Sequence, residues 1–301
     1  MKKRRHHYIW RYYLKPWTGN GKIWCCRKGK KFNTNLINVG QIKDFYRLKK
    51  LSKKDIEIIH KLTIENTRTH LQKVNKRWIE VFNFIFELKK LVDHKDINDE
   101  KINEFIDIVI SNLEENIHSK IERDAKKYLD LILNENIDFY KTEEGCVEFS
   151  YFISVQYSRT NKVKSSVLEK LNGVIDIENA WNVLAHIFAS NISWGLFENR
   201  QIYAMVLLKN ETSEEFITGD QPVINTCATY LSSDEPPEEL ELYYPVSPNL
   251  AILITEREND EYKDKLLLSR EQVIQYNKMI AKQAHTQLYA SSEECFKKYS
   301  I

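Results

Sequence analysis

The stretch that decides the fold is residues 102–132, which read INEFIDIVISNLEENIHSKIERDAKKYLDLI. Its apolar residues recur mostly at intervals of three and four, the spacing that places side chains on one face of an α-helix. A comparable stripe runs over residues 52–85, and Ser52 with Asp55 forms a capping-box start for it. The polar link 94–100 separates the two stripes. The pattern therefore predicts two long helices that fold back on each other as an antiparallel hairpin, and it allows a break in the first.

Shorter periodic segments surround this helical hairpin. Helical spacing predicts four more helices, at residues 147–158, 163–171, 178–198 and 269–290. Strand-like segments occur at residues 202–208, 215–218, 240–244 and 250–255. Turn residues at 27–29 predict a β-hairpin between 22–25 and 31–34.

The expected fold class follows from these elements. It is α+β and mainly helical, with the long antiparallel helical hairpin packed against a small mixed β-sheet formed by both chain ends. We expect one elaborated domain over residues 1–301. Its parts are a basic β-hairpin segment at 1–50, a helical part at 51–200, and a small sheet with the C-terminal helix at 201–301.

Charge is distributed unevenly along the chain. The first 54 residues contain 17 Lys and Arg and a single acidic residue, Asp44, whereas the other 247 contain 28 basic and 42 acidic residues. The formal charge therefore changes from about +16 to about −14 between the two parts. Such a basic N-terminal face favours a polyanionic partner, either nucleic acid or a phosphorylated ligand.

Composition also limits the compartment. The five cysteines include no CxxC pair and are odd in number, which argues against a zinc ribbon and against a disulfide framework. The basic start is not followed by an apolar signal-peptide segment, and no apolar run approaches 18 residues. We therefore expect a cytoplasmic protein with no membrane partner.

Three polar segments offer candidate catalytic residues. His7 and Arg11 are four residues apart and would project from the same face of a strand, the imidazole for proton transfer and the guanidinium for phosphate. Gln156 and Arg159 lie on adjacent turns of a predicted helix and can donate to one anion. Asp220 follows a short strand in a turn flanked by glycine and proline. Surface histidines, a solvated helix end and a turn-capping aspartate are the structural alternatives.

Several common catalytic motifs are absent from the sequence. There is no GxxxxGK[ST], GxGxxG, HExxH or GxSxG motif. His7 and Asp220 together offer too few carboxylates for a hard divalent ion, so we assign no metal ligands and leave the cofactor open. Metal-free cleavage of RNA requires fewer protein groups, because the ribose 2′-OH of the substrate supplies the nucleophile.

Seven segments in order carry a further pattern: 6–14 (HHYIWRYYL), 21–24 (GKIW), 45–46 (FY), 156–160 (QYSRT), 216–223 (FITGDQPV), 245–248 (PVSP) and Asn277. Together they resemble the prokaryotic domain-of-unknown-function family 4238. Its members begin with a His-Tyr-Val-Pro-x-Phe-Leu motif and later carry Gln-x-x-Arg-Thr, Thr-Ser-Asp-x-Pro and Pro-Leu-Ser-Pro. Trp10, Gly219 and Val246 stand where the family has Pro, Ser and Leu.

The resemblance brings no established activity, but it implies a set of polar positions: His7, Arg11, Gln156, Arg159, Asp220 and Asn277. We expect the first five to converge as catalytic residues in one cleft between the sheet and the helical part. Tyr8, Tyr13 and Trp17 would provide stacking surfaces beside it. The predicted nucleic-acid contacts are completed by Lys15, Lys22, Arg27, Lys28, Lys30 and Lys31.

These observations support three functions. The first is a nucleic-acid-directed enzyme, namely a nuclease of the anti-phage defence or toxin type that favours RNA. It would use histidine as general acid or base and arginine to bind phosphate. The second is an enzyme or sensor for a nucleotide or other phosphorylated small ligand. The third is a non-catalytic interaction protein whose helical hairpin packs against a partner protein or a second copy.

Overall fold

The computed structural model describes residues 1–65, 67–95, 99–171, 176–229, 239–256 and 264–299. The helices are α1 (Arg11–Leu14), α2 (Lys53–His60), α3 (Thr69–His94), α4 (Glu100–Leu133), α5 (Glu143–Ser158), α6 (Asn161–Leu171), α7 (Ile177–Glu198) and α8 (Arg270–Gln283). The strands are β1 (Arg5–His7), β2 (Lys22–Arg27), β3 (Lys30–Asn35), β4 (Gln41–Lys43), β5 (Tyr203–Lys209), β6 (Thr218–Gly219), β7 (Ile224–Asn225), β8 (Leu242–Pro245), β9 (Leu250–Glu256), β10 (Lys265–Leu267) and β11 (Gln287–Ala290).

The first long stripe forms two helices rather than one. The predicted capping box starts α2, because the Ser52 hydroxyl accepts from the Asp55 amide and the Asp55 carboxylate accepts from the Ser52 amide, both at 3.0 Å. After α2 the chain makes a π-helical turn and resumes as α3. The freed backbone is satisfied by side chains: the Asn75 amide donates to the Thr63 carbonyl at 2.8 Å.

The predicted antiparallel helical hairpin consists of α3 and α4. Trp78 near the start of α3 and His118 near the middle of α4 both stack on His186 of α7. Leu88, in the C-terminal half of α3, lines the same cavity as Phe105 from the start of α4. This order of contacts requires the two helices to run in opposite directions, and it confirms the predicted hairpin.

The described residues form two main sheets, whereas the sequence predicted one. A five-stranded mixed sheet has the order β10-β5-β9-β8-β7, in which β10 is parallel to β5 and the other pairs are antiparallel. An antiparallel four-stranded sheet has the order β3-β2-β11-β6 and joins both chain ends as predicted. Its β2–β3 hairpin turns at Lys28 and Gly29, which both have positive φ. The mainly helical α+β class is therefore confirmed.

Two local predictions were wrong. Residues 269–290 are not one helix: α8 ends at Gln283, and residues 287–290 form β11, which pairs with β2 and β6. The N-terminal motif is not one strand either, because β1 ends at His7 and α1 begins at Arg11. In both places long-range pairing and packing override local spacing.

The largest buried cluster joins all three parts of the chain. Tyr8 from the N-terminal segment, Tyr128 and Phe149 from the helices, and Ile252 from the five-stranded sheet belong to it. The N-terminal segment is thus packed between the helices and the sheets, which fixes His7 and Arg11 against α4. Among the described residues, none of the helices has the length and apolar character needed to cross a bilayer.

Candidate functional site

A cavity of about 620 Å³ lies between the N-terminal segment and α4. The N-terminal wall holds His7, from the end of β1, and Arg11, the first residue of α1. A short helical turn, and not the predicted strand, therefore brings these two side chains to one cavity. The complete lining is His7, Trp10, Arg11, Tyr12, Lys15, Leu36, Glu115, His118, Ser119, Glu122, Arg123 and Lys126.

The opposite wall is one face of α4. Glu115, His118 and Glu122 are spaced by three and four residues, so they lie above one another on the helix. Arg123 and Lys126 continue the wall with positive charge. The cavity thus combines two imidazoles, two carboxyl groups and several cations, which suits an anionic ligand and proton transfer.

Gln156 and Arg159 lie directly behind this wall. The Arg159 guanidinium donates through Nη2 to the Glu122 carboxylate and to the Gln156 side-chain oxygen, each at 2.7 Å. Its side chain is only 1% exposed. The predicted pair is therefore brought together, but Arg159 is engaged by Glu122 and Gln156 and reaches the cavity only through Glu122.

A second polar layer lies deeper, between α4 and α7. Glu114 Oε1 is 3.5 Å from His118 Nε2 and 3.8 Å from His186 Nε2, and the Asn182 amide donates to the other Glu114 oxygen. Trp78 stacks on His186 with ring centroids 4.3 Å apart. The four polar side chains, those of Glu114, His118, Asn182 and His186, are almost completely buried, whereas Trp78 is partly buried.

Burial controls protonation in both layers. Desolvation, with a further contribution from the Arg11 charge, lowers the pKa of His7, so that its imidazole is neutral at pH 7. Desolvation raises the pKa of Glu115 to about 7 and raises the pKa of Glu114 well above its ordinary value. Desolvation, assisted by the Arg159 charge, lowers the pKa of His186 to about 3.

Asp220 is not a member of this cavity. Its carboxylate accepts hydrogen bonds from the His285 amide at 2.7 Å and from the Thr286 amide and hydroxyl, both at 2.8 Å. These residues form the connection from α8 to β11. The carboxylate therefore holds the C-terminal strand, and the predicted convergence of all five residues separates into His7 and Arg11 in the cavity, Gln156 and Arg159 behind it, and Asp220 elsewhere.

Asn277, another family-motif position, also makes hydrogen bonds that hold two segments of the chain together. The Asn277 side chain accepts from the Ile217 amide at 3.0 Å and donates to the Glu215 carbonyl at 2.8 Å. Such bonds hold α8 against the segment that leads to β6.

The three aromatic residues predicted to stack on nucleobases are buried. Tyr8, Tyr13 and Trp17 are each at most 2% exposed. The Tyr13 hydroxyl is bonded to the Thr218 hydroxyl at 2.6 Å, and the Trp17 indole donates to the Phe216 carbonyl at 2.8 Å. Their polar atoms satisfy buried backbone and side-chain groups, so no face is open to a nucleobase.

The predicted basic residues are mostly exposed. Lys15 lines the cavity, and Lys22, Lys28, Lys30 and Lys31 are exposed on the β2–β3 hairpin. Lys22 pairs with Asn35, the residue before Leu36 in the cavity wall. Arg27 differs, because it is half-buried and donates to the Gln287 side chain at 2.8 Å.

Sequence reasoning missed the α4 and α7 residues. The apolar spacing of α4 predicts the helix, but it does not single out Glu114, Glu115, His118 and Glu122. The sequence does contain a signal for this polar face, because these residues are spaced by three and four and the apolar residues Ile117 and Ile121 lie between them. His186, inside the apolar run of α7, was the corresponding signal there.

The family model described as "Protein of unknown function (DUF4238)" matches residues 5–294. No curated protein and no solved structure matches the chain. The matched segment includes the cavity, the buried layer behind it and the Asp220 contacts. Because the match covers nearly the whole chain, the protein belongs to the DUF4238 family, as the motifs had indicated.

Proposed function

We propose that the protein is a nuclease that cleaves RNA in the cavity between the N-terminal segment and α4. The observation that carries this proposal is the presence of a neutral imidazole, His7, and a guanidinium, Arg11, in one charged cavity. His7 Nε2 is buried and has no hydrogen-bond partner among the described residues, so its lone pair is not engaged by another protein group. The anti-phage or toxin setting stays a prediction.

The chemistry needs few groups. His7 takes the proton of the ribose 2′-OH, the 2′-oxygen attacks phosphorus, and the bond from phosphorus to the 5′-oxygen breaks. The 5′-oxygen takes a proton from solvent, which leaves a 2′,3′-cyclic phosphate and a 5′-hydroxyl. Arg11 and Lys15 offset the negative charge that develops on the phosphate oxygens.

The shape of the basic surface supports a polymer as substrate. The cavity volume is suited to about one nucleotide. Lys22 lies next to the cavity wall at one end of the β2–β3 hairpin. The strands of this hairpin are six residues long, so Lys28, Lys30 and Lys31 at its other end lie about 20 Å from Lys22. A polynucleotide bound in the cavity would extend along these cations, whereas a single nucleotide would not reach them.

The test uses labelled RNA and DNA of one sequence. We expect the parent to cut RNA but not DNA, with or without EDTA, and His7→Ala to lower the rate by about 10²- to 10⁴-fold. His94→Ala, which changes an exposed histidine on α3, is the matched control and should cut like the parent. If neither polymer is cut, or if His7→Ala cuts at the parental rate, the proposal is wrong.

A phosphorylated small ligand is the second candidate, and the one-nucleotide volume of the cavity favours it. Salt separates the two, because polymer binding should weaken with a log–log slope of about −0.7 for each phosphate contacted on a single strand. Changing Lys28, Lys30 and Lys31 to Gln should reduce that slope by about 2 if the polymer contacts them. An unchanged, shallow slope would favour the small ligand.

An interaction role is favoured by one observation on the helical hairpin. Phe84, Leu91 and Phe105 are each more than half exposed on α3 and α4. Light scattering of the parent and of Phe84→Ser, at equal concentration, measures whether this face joins two copies. A lower mass for the variant would support that role.

A further inference from the structure

We infer that Glu114, His118 and His186 form a binding site for one first-row divalent transition metal ion, with zinc as the expected occupant. One carboxylate oxygen and one ring nitrogen from each histidine all lie within 4.8 Å of one another. Two imidazoles with one carboxylate are a donor set that such ions prefer. The inference goes beyond the proposed nuclease, because it concerns bound metal and not RNA.

The spacing of the ligand atoms fits a single ion. Zinc bonds of about 2.0–2.1 Å in tetrahedral geometry place neighbouring ligand atoms about 3.3 Å apart. The two distances from Glu114 Oε1, 3.5 Å to His118 and 3.8 Å to His186, exceed this value by a few tenths of an ångström. The imidazole rings are stacked at 18° with centroids 5.1 Å apart, so each must turn about its side-chain torsions to aim a lone pair at the ion.

Unpaired buried nitrogens provide the independent observation. Among the described residues, neither ring nitrogen of His118 and neither ring nitrogen of His186 has a hydrogen-bond partner. Both side chains are at most 3% exposed. Leaving buried polar atoms without partners is unfavourable, and a metal ion would satisfy two of them directly.

The Glu114 side chain also has a supporting contact from α7. The Asn182 amide donates to the second Glu114 oxygen and holds the carboxylate in place, which is the usual supporting contact of a metal ligand.

The position of the site gives the ion access to the cavity. His118 both belongs to this set and lines the cavity beside His7 and Arg11. Three protein ligands leave at least one coordination position for water or for a ligand in the cavity. The ion would also tie α4 to α7, because Glu114 and His118 lie on the first helix and His186 on the second.

Metal content is the test. The parent is loaded with Zn²⁺, or with Co²⁺ as a spectroscopic probe, separated from free ions by gel filtration, and measured by elemental analysis and visible absorption. We expect about one ion per chain and ligand-field bands from Co²⁺. Glu114→Gln and His186→Asn should weaken binding by at least about 100-fold, since changes in supporting residues alone cost about 10- to 100-fold.

His94→Asn is the matched control, and it should bind metal as the parent does. If the variants fail to fold, as judged by circular dichroism, the stoichiometry and the Co²⁺ spectrum of the parent decide the question. A parent that retains no ion and shows no bands overturns the inference, as do folded variants that bind as tightly as the parent. RNA cleavage enters none of these readouts, so the metal site and the proposed nuclease can fail separately.

Discussion

Replacement of Asp220 by Asn tests whether this carboxylate is a structural clamp. The side chain is 1% exposed and accepts three hydrogen bonds from the connection between α8 and β11. An Asn side chain has one acceptor oxygen, so it can keep the two bonds from Thr286 but must face the His285 amide with its own NH₂ group. One charged hydrogen bond is lost, a buried donor is left unpaired, and the other two bonds lose their charge.

The expected loss follows from these three changes. A hydrogen bond to a charged group contributes about 1.5–3 kcal/mol, and a neutral one about 0.5–1.5 kcal/mol. The lost bond and the two weakened bonds together give a decrease of about 3–5 kcal/mol in the free energy of unfolding. With a urea slope of about 3 kcal/mol per molar, the midpoint should fall by about 1–2 M.

Urea unfolding followed by circular dichroism measures this shift. Asp138→Asn is the matched control, because the Asp138 side chain is 75% exposed and, among the residues described, its ion pair is a surface contact with Lys141. That variant should change stability by less than about 1 kcal/mol. The reasoning is refuted if Asp220→Asn unfolds at the parental midpoint, and still more clearly if it then loses RNA cleavage, since the carboxylate would be acting on substrate.

Three further predictions use other contacts. Trp17→Phe removes the bond to the Phe216 carbonyl, so urea unfolding should show a loss of about 1–3 kcal/mol, with RNA affinity unchanged because the ring is buried. Gly145→Ala places a methyl group against the Phe139 carbonyl and should lower the thermal midpoint despite the better helix propensity of alanine; an unchanged midpoint would contradict the packing. An NMR titration should place the pKa of His7 below 6.5, and in Arg11→Gln closer to 6.5, because burial remains but the neighbouring positive charge is gone; equal values in both proteins would contradict that cause.

The helices and hairpins were predictable because their signals are local. The capping box at Ser52 and the turn at Lys28 and Gly29 specify backbone geometry within a few residues. The final strand was not predictable in this way, since Ile280, Ala284 and Leu288 keep the four-residue spacing of a helix. The chain that follows α8 is held by the Asp220 carboxylate, which is more than 60 residues away in sequence.

Some residues of the candidate site can also be predicted from local sequence, whereas others depend on tertiary packing. His7 and Arg11 were found from residue type and spacing, and both line the cavity. The acidic residues of α4 were missed because a charged helix face is normally solvated, and only the packing of α7 against it shows that Glu114 is buried. Aromatic residues near the basic segment predict stacking, but Tyr13 and Trp17 are buried through contacts with residues about 200 positions later in the sequence.

The strand order of the four-stranded sheet means that β2 must wait for a partner strand that is synthesised much later. The basic β2–β3 hairpin, complete at residue 35, pairs along its inner edge only with β11, at residues 287–290. At about 5–20 residues per second, roughly 10 to 50 s pass on the ribosome before that partner strand exists. During this interval the edge of β2 and its lysines are open to ribosomal RNA and to other nascent chains, so the four-stranded sheet cannot assemble until residues 287–290 have been synthesised.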